Sequence, residues 1–148
     1  MLLQLFSTVP QYLKEAIDEE IGSISHRGKK FETLYQTAEN NLRELLNIPK
    51  THTIFFLSSA TDAWERIIEN CLEKYSFHFI SGVFSQKFYE SATGYGKKAT
   101  AYDVFEHNFR LNPRIPIHTE LICFTQNETS NGLMIPLDKI YEVKKKNP

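Results

Sequence analysis

Two cysteines in 148 residues are too few to brace a fold with disulfides. Cys71 falls in a helical pattern and Cys123 in a strand pattern, so both are expected as buried, reduced thiols. No apolar run reaches the roughly 18 residues of a membrane span, and Met1–Phe6 has neither a basic flank nor a small-residue cleavage site. The expectation is a soluble, cytoplasmic chain without membrane contact. With 17 basic against 18 acidic residues there is no surplus of positive charge to follow a phosphate backbone, which argues against nucleic acid as partner. The five histidines lie at no metal-ligand spacing from one another or from a cysteine, so no metal site is expected. A glycine-rich dinucleotide fingerprint, a Walker loop with its lysine and a glycine-flanked serine elbow are all missing, which removes three common enzyme classes.

What the chain has is apolar periodicity. At 41% hydrophobic and 13% aromatic content it can build one core, and its length fits a single domain spanning residues 1–148. Pro10 opens a helix carrying Leu13, Ala16, Ile17 and Ile21 on one face, with Gly22 as its stop. From Phe31, a stripe of Leu34, Tyr35, Ala38, Leu42, Leu45 and Leu46 predicts a long helix ending at Asn47-Ile48-Pro49. Thr53–Leu57 is β-branched and aromatic without polar alternation, as in a strand covered on both faces. A second helical stripe follows at Trp64, Ile67, Ile68, Cys71, Leu72 and Tyr75. Strand-like Phe77–Ile80, a turn at 82–85, a helix marked by Phe88, Tyr89, Ala92 and Tyr95, and a strand over 99–104 continue the alternation. Residues 105–118 are irregular, Glu120–Thr125 is strand-like, Gln126–Gly132 is a polar turn, and Pro136–Val143 is a last short helix before a solvated lysine-rich end. Such alternation predicts an α/β three-layer sandwich with ligands at the carboxyl edge of its sheet.

Four stretches could carry chemistry. Ser58-Ser59-Ala60-Thr61 joins a strand-like run to a helix start, where backbone N–H groups and the helix dipole suit a phosphate; capping of the helix by these hydroxyls and the Asp62 carboxylate is the more ordinary role, and the two are compatible. His26-Arg27 sets an imidazole beside a guanidinium fork, suited to a carboxylate or phosphate, with a solvated arginine as the alternative. Phe84, in a turn, either packs on a flat aromatic ligand or joins the core. Asn127-Glu128-Thr129 brings an amide, a carboxylate and a hydroxyl to one turn, able to hydrogen-bond a polar ring substituent or simply to build the turn.

In their order, Ile24-Ser25-His26-Arg27 with Phe31, Asn41–Pro49, Phe56–Thr61 and Asn127-Glu128-Thr129 with Gly132 resemble the amino-terminal half of the large domain of the phosphoserine aminotransferase family, within the class V aminotransferases that use pyridoxal 5'-phosphate. The resemblance runs from about Val9 onward and implies part of the large domain of a fold-type I pyridoxal-phosphate transferase. It implies that Ala60 and Thr61 amides hold the cofactor phosphate, that Phe84 stacks on the pyridine ring and that Thr129 hydrogen-bonds the cofactor. It further implies that His26 and Arg27 bind the phosphate of a phosphorylated amino or keto acid, near the interface of a homodimer. Phe84 stands where the family usually has tryptophan, Ser58-Ser59-Ala60 replaces a glycine-rich turn, and Leu5–Pro10 replaces an opening glycine-proline motif.

In the family, the aspartate that pairs with the pyridine nitrogen and the lysine that binds the cofactor covalently come later than this sequence extends. None of Lys139, Lys144, Lys145 or Lys146 has the required context, so no catalytic residue is assigned, and the expectation is an inactive segment of a longer enzyme. Alternatives are another class V aminotransferase of the alanine/glyoxylate or serine/pyruvate type, or a non-catalytic α/β module binding a phosphate ligand or a protein. A cysteine desulfurase is disfavoured because neither cysteine lies in an exposed loop pattern.

Overall fold

The computed structural model describes residues 6–147, which resolve into two compact units, 6–55 and 56–147. The first unit holds two helices. Helix α1 (Val9–Asp18) starts with Pro10 in its first turn, where its missing N–H costs nothing. It stops earlier than Gly22: Glu20 takes the left-handed conformation (φ 53°) and leads into a short 3-10 turn at Ile21–Ser23. Helix α2 (Lys29–Leu46) closes on Asn47, also left-handed (φ 51°). Arg43 then clamps the following turn, its guanidinium bonding Glu39 at 2.6 Å and donating to the carbonyls of Pro49 and His52. No residue of either helix is buried; the α2 stripe leaves Leu45 and Leu46 exposed and Phe31 and Tyr35 half-buried.

Residues 53–57 are not a strand. A covered strand needs a ladder partner, and none of the described strands pairs with this run; Phe55 is 77% exposed, and the Ile54 carbonyl accepts from the Tyr35 hydroxyl instead. β-Propensity describes what fits a paired, half-buried surface, and it does not create one.

The second unit is a three-layer α/β arrangement. Helix α3 (Ala60–Cys71) leads to strand β1 (Tyr75–Ile80), helix α4 (Val83–Gly94), β2 (Lys98–Asp103) and, after an irregular stretch, β3 (Leu121–Cys123). The order β2-β1-β3 is all parallel, with Phe77 opposite Thr100 and Ile122, and His78 opposite Ala101 and Cys123. Alternation along the strands sorts the core into two faces. On one side Ile68 and Leu72 of the α3 segment and Phe88 and Ala92 of α4 pack on Cys123. On the other, Phe77, Phe79 and Val104 pack with Val143 of helix α5 (Leu137–Lys146). Central β1 is accordingly buried over five of its six residues. A two-stranded hairpin, β4 (Asn127–Glu128) and β5 (Leu133–Met134), stands where a polar turn was expected, with Gly132 at φ 77° inside its loop.

Two side chains fasten the α3–β1 junction. The Glu120 carboxylate accepts from the backbone N–H groups of Glu73, Lys74 and Tyr75, and Lys97 Nζ donates to the carbonyls of Leu72 and Glu73 at 2.6 and 3.2 Å. Cys123 is buried as expected, and burial pushes its thiol up to about 12; Cys71 instead lies exposed, because its place on α3 turns away from the sheet. The lysines at 144–146 are not a loose tail but the last turn of α5, where cations complement the helix dipole.

His78 is 1% exposed on β1, bonded through Nε2 to Ser76 Oγ at 2.9 Å, with no partner for Nδ1 among the described residues. Burial holds its pKa down at about 4. The unfolded chain therefore binds the extra proton first as pH falls. The stability associated with neutral His78 is complete above pH 6.5 and is lost toward pH 4, an effect of roughly 3 kcal/mol. Urea unfolding between pH 7 and pH 4 should show this loss, and a His78→Leu variant should show a shallower slope in the same window; an unchanged slope would refute the assignment.

Candidate functional site

Helix α3 opens on Ser59, whose hydroxyl accepts from the Asp62 N–H at 3.1 Å while its carbonyl accepts from Ala63. Serine at this position satisfies one of the donors that every helix start leaves over. The Ala60 and Thr61 N–H groups remain, exposed and with no acceptor among the described residues. This is the state a phosphate-binding helix start needs. One neighbour opposes it. The Asp62 carboxylate accepts from the Ser58 N–H and hydroxyl at 3.3 and 3.1 Å, bonds that hold its pKa down, and Arg66 meets its other oxygen at 3.2 Å. Asp62 thus places a negative charge at the turn, shared with a guanidinium that also pairs with Glu69.

Phe84 is not in a turn: α4 begins at Val83, so Phe84 is its second residue, 38% exposed, with Lys87 Nζ 5.7 Å from the ring centre. Its ring is outside both core clusters and open to a ligand on the helix's first turn. The first turns of α3 and α4 are held side by side, since Trp64 and Phe88, each about one turn inside its helix, stack at 5.2 Å with 12° between their planes. Both helices start at the carboxyl edge of the parallel sheet. Ala60, Thr61 and Phe84 therefore share that edge.

Thr129 joins them through its neighbour. Gly82 can offer no side-chain oxygen to cap α4, and the cap arrives from the hairpin loop. The Glu128 carboxylate accepts from the N–H groups of Phe84 and Ser85 at 3.2 and 2.9 Å, and from the Ser85 and Ser130 hydroxyls at 3.0 and 2.6 Å. Ser130 Oγ accepts from Val83 N–H at 3.1 Å, and Asn131 donates to the Ser81 carbonyl at 2.7 Å. Burial pushes the Glu128 carboxyl up, but the bonds from Ser130, Ser85 and Phe84 outweigh that and hold it at about 2. Glu128 is fully buried, so of the three groups expected to face a ring substituent, this one is consumed by the fold; Thr129 is exposed, and its hydroxyl has no partner among the described residues.

His26 and Arg27 lie in the first unit, in the turn before α2, closed by the Gly28 N–H to Ser25 carbonyl bond at 2.9 Å. Both are exposed, and among the described residues neither side chain has a hydrogen-bonding or ionic partner. His26 borders an open groove of about 430 Å³ along α2 with Phe31, Tyr35 and the carboxylates Glu32 and Glu39. No group of three or more metal-ligating side chains occurs among the described residues.

The class-V aminotransferase family model matches residues 3–78, just over half the chain. The chain belongs to the class-V aminotransferase family. A phosphoserine aminotransferase of Legionella pneumophila is 32% identical over 143 residues, covering 85% of this chain and 40% of that protein. One of Bacteroides thetaiotaomicron is 30% identical over 119 residues, 78% of this chain and 34% of its own length. The crystal structure of the phosphoserine aminotransferase SerC from Cytophaga hutchinsonii superimposes with a TM-score of 0.89 at 46% identity, over 97% of this chain and 40% of that one. The chain thus spans about two fifths of the length of relatives it matches. The resemblance read from the motifs holds, and the parallel sheet with helices on both faces is the corresponding part of the pyridoxal-phosphate transferase fold in this class-V aminotransferase chain.

Sequence reasoning placed the Asp62 carboxylate at the start of α3 and missed Arg66 and the inward role of Glu128. Arg66 had a signal, an arginine one turn after the aspartate of a Ser-x-x-Asp helix start. Glu128 had none that showed its inward turn, because its partners on α4, Phe84 and Ser85, lie more than forty residues away, before β2 and β3 in the chain. A Cβ on Gly82 would lie 2.5 and 2.7 Å from Glu128 Cγ and Cδ and 2.7 Å from Ser130 Oγ. Gly82→Ala should therefore lose about 1–3 kcal/mol in denaturant unfolding, whereas alanine at Gly94, which has no atom within 4 Å of its Cβ position, should show no such clash.

Proposed function

We propose that this chain carries the cofactor-phosphate and substrate-phosphate parts of a phosphoserine aminotransferase, a homodimeric, cytoplasmic enzyme that moves an amino group between glutamate and 3-phosphohydroxypyruvate. The observation that carries the reading is the meeting at one sheet edge of two unengaged helix-start amides, an exposed ring and an unpartnered hydroxyl, in a chain 46% identical to a phosphoserine aminotransferase over nearly all its length.

The residues fit pyridoxal 5'-phosphate. Ala60 and Thr61 N–H groups would take its phosphate, with the α3 dipole adding to the attraction. The Phe84 face would cover one side of the ring, and the Thr129 hydroxyl would hydrogen-bond a polar atom at its edge. Phenylalanine in place of the family's tryptophan retains stacking but gives up the indole donor. When bound, the cofactor supplies an electron sink for charge at the substrate's α-carbon. His26 and Arg27 would grip the substrate phosphate, the arginine through its fork and the histidine by donating a proton in a hydrogen bond. The lysines at 139 and 144–146 do not fit the covalent role: Lys139 lies on α5 paired with Glu142 at 3.1 Å, and Lys144–146 close the same helix. The 148 residues alone are accordingly expected to bind without turning over.

Pyridoxine 5'-phosphate, which lacks the aldehyde that would react with surface lysines, is the probe for this reading. The chain should bind it saturably one to one, followed by Trp64 fluorescence or calorimetry. Phe84→Ala should weaken binding, and Asp62→Asn should tighten it by about three- to tenfold at low salt by removing a charge beside the phosphate. Arg27→Ala should leave that affinity alone and weaken O-phosphoserine. Borohydride reduction with pyridoxal 5'-phosphate should label no single lysine stoichiometrically. Absence of saturable binding would sink the proposal.

A further inference from the structure

We infer that Glu128 is a positioning residue for the cofactor ring, setting the place of Phe84 and Thr129 together while leaving the phosphate turn untouched. The inference rests on the cofactor reading above. Phe84 receives its position from the first turn of α4, and that turn is anchored by the Glu128 carboxylate on the Phe84 and Ser85 N–H groups. Thr129 is the next residue after Glu128 in the chain, and Ser130 closes the loop back onto both the carboxylate and Val83. One buried carboxylate thus holds the ring's face contact and its edge contact to each other. The phosphate turn is built separately, from Ser58, Ser59, Asp62 and Arg66, none of which touches Glu128.

The geometry makes the carboxylate specific. Its two oxygens receive only donors: three N–H groups, from Phe84, Ser85 and Ser130, and the hydroxyls of Ser85 and Ser130. A glutamine would turn an NH2 group toward one of those sets of donors, and an aspartate is one methylene short of them. Gly82 supplies the space, since any Cβ there would meet Glu128 Cγ and Cδ at 2.5 and 2.7 Å. Ser85 Oγ takes the Ser81 and Gly82 N–H groups at 2.8 and 3.0 Å, which leaves the Phe84 and Ser85 N–H groups of the first turn to the carboxylate, and the same carboxylate also takes the Ser130 hydroxyl of the loop that carries Thr129.

The test compares pyridoxine 5'-phosphate with inorganic phosphate on the 148-residue chain, with near-ultraviolet circular dichroism of Trp64 reporting the α3–α4 contact. Glu128→Gln should weaken pyridoxine 5'-phosphate by at least about tenfold while inorganic phosphate changes by less than about twofold. Ser130→Ala, a milder cut in the same network, should weaken pyridoxine 5'-phosphate by about three- to fivefold with the same indifference to phosphate. It decides the matter should Glu128→Gln not fold. Equal losses for both probes would mark a merely structural role and overturn the inference, as would an unchanged pyridoxine 5'-phosphate affinity in a folded variant. In either case wild-type binding would leave the cofactor reading standing. Failure of the wild-type chain to bind pyridoxine 5'-phosphate would remove that reading, and this inference with it.

Discussion

A single buried carboxylate organises the carboxyl edge of the second unit. Glu128 gathers the start of α4 and its own hairpin loop around one charge, and it remains ionised because its hydrogen bonds outweigh the cost of burial. Buried charge without partners would be strongly unfavourable; here every neighbour within reach is a donor. The sheet could exist without this cluster, since its core is apolar on both faces. The edge could not, because α4 begins at a glycine and the hairpin has only two residues in each strand. Phe84 and Thr129 owe their adjacency to this one interaction.

The two polar turns at that edge solve the same problem differently. Helix α3 caps itself from its own sequence, through Ser59 and Asp62, and leaves two N–H groups open. Helix α4 is capped from outside and leaves none of its first three amides idle, because Val83, Phe84 and Ser85 each have an acceptor. In the proposed reading the anion goes to α3, which has open N–H groups, and the ring at α4 is the group left to meet the cofactor there. What the structure shows is the difference in spare donors between the two helix starts, and the proposed division into phosphate turn and ring platform is built on it.

Much of this organisation was legible in the residues. Periodicity located α2, α3, β1, α4, β2 and α5 to within a few positions, because each has an apolar face that packing or helix spacing demands. The run at 53–57 misled for the same reason it looked convincing: its composition suits a covered strand, but no strand of the sheet pairs with it. Cys71 was misplaced because one step along a helix decides whether a residue faces the sheet or the solvent. The motif order pointed to the family, and that resemblance singled out Ala60 and Thr61 within a turn whose own chemistry reads first as a helix cap. The inward turn of Glu128 was invisible, since a carboxylate between asparagine and threonine reads as a surface turn until the missing side chain of Gly82 opens a place for it.

That missing side chain also has a consequence for how such a chain can vary over generations. Gly82 and Glu128 are complementary in volume: whatever is added at one must be removed at the other. A change at either alone leaves a clash or an uncapped helix, so a substitution at one sets what the other can hold. The empty position at this edge is therefore as constrained in space as the charged one.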